Sequence, residues 1–232
     1  MQINYSVASD AQLIAEHFDV KVDAAYQATY NANPTNILPV ITSAHPEEPS
    51  YFYWGINPGF TKSKGVSSKL LYAPIEDITS KPSLRKNLAK QRCVIIADGF
   101  YAWQDVAKKE RVPYRFHLQN NSLFGIAGLW DFYETEEGET IKTFMMITRE
   151  ALPSVKKVTD RMPAILNEDF LIEWLNDAHT ADSVLDYVRP FTDEEISNYT
   201  VNPKLADPAF DAKMLWEKVP PANQFGNLTL FN

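Results

Sequence analysis

Short apolar and aromatic runs dominate the middle of the chain, and they restrict its fold more than any other feature. Each is roughly four to eight residues long and ends near turn-forming residues, which is typical of β-strands. The predicted strands cover residues 37–42, 51–56, 93–97, 100–103, 113–118, 123–129 and 141–148. They do not alternate regularly with helices. We therefore predict an α+β fold with a strongly curved, mainly antiparallel sheet, in a single domain over residues 1–232.

Helices are predicted around this sheet. Ser9-Asp10 has the chemistry of an N-cap. The buried side of the following helix is predicted to carry Leu13, Ile14, His17 and Phe18. A second helix runs from Ser80 and Pro82 to Lys90, with the proline in its first turn. Two further helices are predicted, one capped by Asn167 and running through Phe170 and Trp174, the other in ADSVLDYV.

Polar segments separate these elements. The stretch SAHPEEPS (43–50) is predicted to be a loop between two strands. The segment GFTKSKGVSS (59–68) is predicted to be a flexible basic loop. Glu136-Glu137-Gly138 has the composition of a hairpin turn.

The stretch CVIIADGFYAWQD (93–105) raises a specific question about function. Its first five residues predict a buried strand, and Asp98-Gly99 predicts a tight turn in which Gly99 takes a positive φ. Aromatic residues then begin a second strand. A turn with so many aromatic residues is compatible with two interpretations: the floor of an active site, or a part of the hydrophobic core. Ala102 lies among these aromatics, and its methyl group can neither transfer a proton nor stabilise a charge.

Composition excludes several classes of protein. The formal net charge is −8 and the isoelectric point about 5.0, which argues against tight, nonspecific binding to nucleic acid. The single cysteine, Cys93, lies in an apolar run, so we expect a buried thiol and no intrachain disulfide. The sequence contains neither a signal-peptide pattern nor an apolar run long enough to span a membrane. We expect a cytoplasmic protein.

No standard catalytic or cofactor motif is present. The four histidines lack metal-ligand spacing, and GxSxG, GxGxxG and GxxxxGK[ST] are absent, so we expect neither a metal nor a cofactor. His117 lies in a predicted strand and is interpreted as structural. Asp160-Arg161 is either a buried ion pair that turns the chain or an arginine aimed at a phosphate. Taken alone, the pair of residues favours the buried ion pair over the phosphate contact.

Several motifs in order resemble one known family. They are YNANPTNILPVI (30–41), WGINPGF (54–60), KPSLRKNLAKQRCVIIADGFYAW (81–103), VPYRFHL (112–118), AGLWDFY (127–133), MMITREA (145–151), VTDRMPAIL (158–166) and YTVNPKLADP (199–208). Together they resemble the SRAP family of SOS-response-associated, abasic-site-processing proteins. The resemblance covers nearly the whole chain and implies a barrel-like SRAP domain.

The resemblance also implies a mechanism. In this family an N-terminal cysteine, exposed by loss of the initiator methionine, forms a thiazolidine crosslink with the aldehyde of an abasic site in single-stranded DNA. An asparagine, a glutamate and a histidine assist, and the family is also described as peptidase-like. This sequence departs from the family at each of these positions, which are occupied by Gln2, Tyr72, Ala102 and Thr159. Pro74 also replaces an arginine that faces phosphate. We therefore expect no catalytic residue to be intact and the crosslinking activity to be absent.

Three hypotheses follow for the function. The first is a catalytically degenerate protein that still binds single-stranded or abasic DNA; its candidate contacts are Trp54, Phe60, Lys62, Lys64, Lys69, Arg85 and Arg161. For each of these residues an ordinary structural role is the alternative. The second is an interaction or regulatory module with a protein partner, favoured by the acidic isoelectric point and the less polar cleft. The third is activity carried by other residues, such as a weak Schiff base at the Met1 amine. We rank the first slightly above the second and both above the third.

Overall fold

Thirteen strands form two sheets in the part of the chain that the computed structural model describes, residues 3–55, 71–135, 138–188 and 193–229. In chain order the strands are β1 (Asn4–Val7), β2 (Thr29–Ala32), β3 (Ile37–Thr42), β4 (His45–Trp54), β5 (Tyr72–Pro74), β6 (Arg92–Ala97), β7 (Gly99–Ala107), β8 (Glu110–Leu118), β9 (Phe124–Glu134), β10 (Thr140–Glu150), β11 (Arg161–Pro163), β12 (Ile165–Leu166) and β13 (Ile196–Thr200).

The larger sheet closes on itself. Strands β10, β4, β3, β6 and β9 pair in that order, and β9 also pairs with β10, so these five form a ring. Strands β5 and β11 extend the ring from β10, and β12 extends it from β9. The smaller sheet has the order β13-β8-β7-β1-β2. All pairings are antiparallel except β10 with β4 and β10 with β5. The fold is α+β with a mainly antiparallel, barrel-like core, as predicted.

Short helices lie around the sheets. They are α1 (Ala11–Phe18), α2 (Ile75–Ile78), α3 (Pro82–Lys90), α4 (Pro153–Lys156) and α5 (Leu171–Leu175). Single 3₁₀ turns cover Glu168–Phe170, Ser183–Tyr187, Asp193–Glu195, Pro203–Ala206 and Lys213–Trp216. Proline begins α3 and α4, where its missing N–H is not needed. Asn167 caps the turn before α5 by accepting from the Asp169 N–H, as its sequence position indicated.

Two local predictions were wrong. The stretch 43–50 is mostly strand, because β4 begins at His45 and pairs with β3 through an irregular register. Backbone hydrogen bonds to β3 hold this segment, while its polar side chains face solvent. Its polar composition therefore led to the wrong prediction of a loop. In α1, Ile14 is buried but Leu13 is 52% exposed.

The prediction of a tight turn at Asp98-Gly99 was also wrong. Strand β6 belongs to the ring and β7 to the smaller sheet, so the chain changes sheets here rather than folding back as a hairpin. Gly99 begins β7 and does not have a positive φ. A glycine is needed for a different reason: a Cβ at this position would lie 2.8 Å from the guanidinium of Arg115.

One large hydrophobic core involves both sheets. It includes Trp54, Phe100 and Trp174, each with 1% or less of its surface exposed. A smaller cluster packs Tyr101 and Trp103 against the C-terminal part of the chain. The prediction of a single domain over 1–232 stays a prediction. In the described segments, no helix combines the length and apolar character needed to cross a membrane.

Candidate functional site

Tyr72 holds the beginning of the described chain. It lies in β5, which pairs in parallel with the centre of β10, and only 7% of its surface is exposed. Its hydroxyl donates to the Ile3 carbonyl at 2.7 Å and accepts from the Ile3 N–H at 3.2 Å. Burial raises the pKa of Tyr72 to about 12, so the hydroxyl is neutral at physiological pH. Gln2, the neighbouring residue, lies outside the described residues.

Ala102 lies beside the same segment. Strands β1 and β7 pair with Asn4 opposite Tyr101, so Ile3 and Ala102 are the chain neighbours of this pair. Neither Ile3 nor Ala102 has any exposed surface. Ile3, Tyr72 and Ala102 therefore belong to the same buried, apolar core. None of these three side chains can act as an acid or base near neutral pH.

Thr159 lies in a different environment, an open cleft of about 560 Å³. The cleft is lined by Trp103, Asp105, Arg111, Val158, Thr159, Asp160 and Arg161. The Arg111 guanidinium lies over the Trp103 ring, 5.3 Å from its centroid, which is a cation–π contact. The lining contains two arginines and two aspartates, so its formal charges balance. The cleft is polar without being basic.

Arg161 is held by a carboxylate on another element. Its two terminal nitrogens contact the two Glu76 oxygens at 2.9 and 3.0 Å, and it also donates to the Thr148 carbonyl at 2.8 Å. This bidentate contact lowers the pKa of Glu76. The ion-pair interpretation of Asp160-Arg161 therefore needs correction, because the partner is Glu76 and the Arg161 side chain is 26% exposed. Asp160 is exposed, and its backbone carbonyl accepts from Ala151.

Of the other DNA-binding candidates, the two that the structure describes, Trp54 and Arg85, do not line this cleft. Trp54 has no exposed surface, donates to the Leu71 carbonyl at 3.2 Å and stacks on Phe144, so it presents no face to a base. Arg85, on α3, pairs with Asp182 at 3.1 Å outside the cleft lining. The remaining candidates, Phe60, Lys62, Lys64 and Lys69, lie outside the described residues.

Arg111 and Glu76 were missed as functional candidates. The β7–β8 hairpin places Arg111 opposite Asp105, two positions along the strand from Trp103. No local signal assigns Glu76 to Arg161, because the two residues are 85 positions apart.

Cys93 and His117 lie away from this cleft. Cys93 is buried in β6, and burial raises the pKa of its thiol, so it is not a ready nucleophile. His117 contacts the Leu118 carbonyl through Nδ1, and burial lowers its pKa. Among residues 3–55, 71–135, 138–188 and 193–229, no three or more His, Cys, Asp or Glu side chains are grouped as metal ligands would be.

Solved structures share this arrangement of strands. A protein from Bacteroides thetaiotaomicron matches with a TM-score of 0.80 at 23% identity, covering 93% of this chain and 99% of that one. A protein from Bordetella bronchiseptica matches with a TM-score of 0.73 at 27% identity, covering 87% and 100%. The chain therefore has a fold already known in other bacterial proteins.

The family follows from the sequence. The model for SRAP, SOS response associated peptidase, matches residues 1–208, so this chain belongs to the SRAP family. Abasic site processing protein YoaM of Bacillus subtilis is 33% identical over 209 residues, covering 88% of this chain and 91% of that protein. Abasic site processing protein YoqW of Bacillus subtilis is 30% identical over 218 residues, covering 92% and 97%. The resemblance seen in the motifs is confirmed.

Proposed function

We propose that this chain is a non-crosslinking member of the SRAP family that binds single-stranded DNA, including DNA with abasic sites, without forming a covalent bond. The names of its relatives, abasic site processing proteins, support a DNA ligand. The contact of the Tyr72 hydroxyl with both backbone groups of Ile3 carries the proposal. That contact closes the region where the family's chemistry is expected, and none of the side chains of Ile3, Tyr72 and Ala102 is an acid or base near neutral pH.

Loss of crosslinking follows from the groups that remain. A thiazolidine requires an amine and a thiol on one residue, whereas Gln2 offers an amide and Cys93 is buried in β6. Ala102 and Thr159 cannot replace a carboxylic acid and an imidazole, groups that typically contribute about 10²- to 10⁴-fold each to a rate.

Noncovalent binding is supported by the cleft beside Thr159. It offers the Arg111 and Arg161 guanidinium groups for phosphate, and the Trp103 ring, which is only 8% exposed, supports Arg111 from below. Because Asp105 and Asp160 balance these charges and only two arginines are available for phosphate, we expect moderate affinity that falls gradually with salt. Glu76 fixes the position of Arg161 but also occupies part of its hydrogen-bonding edge.

Fluorescence polarisation at low salt tests the binding, using a labelled single-stranded oligonucleotide and a 3′-junction. We expect saturable binding in the micromolar range, weakened about five- to tenfold by Arg161→Gln, as for loss of one phosphate contact worth roughly 1–1.4 kcal/mol. Arg85→Gln removes the same charge outside the cleft and is the matched control. An equal loss in both variants would assign binding to overall charge, and no binding at high micromolar protein would disprove the proposal.

A denaturing gel tests the chemistry separately. Incubation with an abasic oligonucleotide should give no shifted band, and a stable band would overturn the assignment. A variant carrying Gln2→Cys, Tyr72→Asn, Ala102→Glu and Thr159→His restores the family residues. We expect this fourfold variant to produce a band.

A further inference from the structure

A second cavity, apolar and separate from the Thr159 cleft, lies between α1, the β3–β4 hairpin and α5. Its volume is about 400 Å³, within the roughly 300–1,000 Å³ typical of ligand sites. Phe18, Val94, Leu171 and Leu175 supply much of its wall. Gly125 allows the wall to form, because a Cβ there would lie 2.6 Å from Val94 and 2.7 Å from Leu171. None of the residues lining this pocket lines the cleft.

The mouth of the pocket carries a bulky apolar side chain in solvent. Ile172, which lines the pocket from α5, is 81% exposed, the highest value among the large hydrophobic residues described as exposed. Its neighbours Leu171 and Leu175 are only partly buried against the core. An exposed isoleucine beside an apolar cavity forms a larger continuous apolar surface than a single scattered residue would.

The rim of the pocket is acidic. Asp177 is the one charged residue among those that line it, and its side chain is 52% exposed. Arg92 forms an ion pair with it at 3.7 Å, and the Ser43 hydroxyl donates to it at 3.4 Å. The Arg92 guanidinium also donates to four backbone carbonyls beneath the surface, so it is shared among several acceptors. Exposed carboxylates at Asp19 and Glu47 directly follow two lining residues, Phe18 and Pro46. Lys21, whose backbone N–H donates to the Glu47 carbonyl at 2.7 Å, adds an exposed cation to this part of the surface.

We propose that this pocket docks a segment of a protein partner that presents bulky apolar side chains next to lysine or arginine, as an amphipathic basic helix does. The cavity and Ile172 receive the apolar side chains, and Asp177 with its acidic neighbours receives the cations. The same carboxylates repel nucleic acid and a second copy of this acidic surface. The site is independent of the proposed DNA binding, which uses other residues.

A labelled helical peptide of leucine and lysine, with its leucines on one face, is the probe. We expect saturable binding by fluorescence polarisation, with a dissociation constant below about 100 μM. The same peptide with glutamate in place of lysine should bind at least about tenfold more weakly, because its charge repels the rim. Amide shifts in NMR spectra should change first in α5, around residues 171–177.

Three variants localise the binding. Ile172→Lys should weaken binding about tenfold or more, because it removes an apolar anchor and adds a repelling charge. Asp177→Asn should weaken it severalfold and reduce its dependence on salt. Leu228→Lys makes the same exchange at a residue that is 74% exposed and outside the pocket, so it should change little.

Three results would contradict the proposed docking site. Equal weakening by Ile172→Lys and Leu228→Lys, equal binding of the two peptides, or no binding up to about 500 μM would each overturn the proposal. None of these outcomes would affect the DNA-binding test, since that experiment concerns Arg161.

Discussion

Replacing Tyr72 by phenylalanine tests the closed region most directly. The change keeps the ring and its T-shaped contact with Trp54, whose centroid lies 5.9 Å away, and removes only the hydroxyl. Two hydrogen bonds to the Ile3 backbone are lost. A buried polar group left without its partner costs about 1–3 kcal/mol, so we expect the free energy of unfolding to fall by about 2–4 kcal/mol. Urea unfolding followed by tryptophan fluorescence measures this change.

A matched control separates this effect from the general loss of a tyrosine hydroxyl. Tyr114 lies in β8 opposite Ala102, is partly exposed, and has no hydroxyl hydrogen bond among the described residues. Tyr114→Phe should therefore change the free energy of unfolding by less than about 0.5 kcal/mol. Hydrogen exchange adds a second measurement, because the Ile3 amide should exchange faster in Tyr72→Phe alone. Equal stability of Tyr72→Phe and the wild type would refute the role assigned to this contact.

Two further predictions concern pH and packing. Because the pKa of Tyr72 is raised from 10.0 to about 12, its stabilising contribution is complete below pH 10 and is lost as the pH rises through 12. The wild type should lose about 2–3 kcal/mol more than Tyr72→Phe across that interval in urea unfolding, and parallel curves would contradict this. Gly99→Ala should destabilise by about 1–3 kcal/mol, because the new methyl group meets the buried Arg115 guanidinium at 2.8 Å. A thermal midpoint equal to that of the wild type would show that Arg115 moves freely.

The sequence predicted those parts of the fold that depend on local pattern. The apolar run at 37–42 and the proline-led helix at 82–90 have the predicted bounds, because each is determined by residues within it. Asp98-Gly99 was misassigned because turn propensity does not specify which sheet the next strand joins. The reason for the glycine is Arg115, 16 positions away in sequence and across a strand pair.

The sequence predicted the positions of the site only through the family motifs, and it did not predict which residues contact one another. The contacts that define it join residues far apart in sequence: Tyr72 and Ile3 are separated by 69 positions, and Arg161 and Glu76 by 85. Such pairs depend on the parallel pairing of β5 with β10 and the antiparallel pairing of β10 with β11. Neither pairing has a local signal. The structural alternative for Trp54 is the one the structure shows, because its ring is buried between Tyr5 and Phe144.

Tyr72 and Ala102, which replace family residues, both fit the hydrophobic core that contains Ile3. Unselected loss of a polar site should leave buried groups without partners, at a cost of about 1–3 kcal/mol each. The Tyr72 hydroxyl makes two hydrogen bonds and Ala102 adds no polar atom, whereas the nearby Tyr5 hydroxyl is buried without a partner in the described part of the chain. Restoring the glutamate at 102 alone would place a carboxyl group in a region now closed to solvent, where burial favours its neutral form. The family residues would therefore have to return together, because Tyr72 must withdraw from Ile3 before an acid at position 102 has water or a partner.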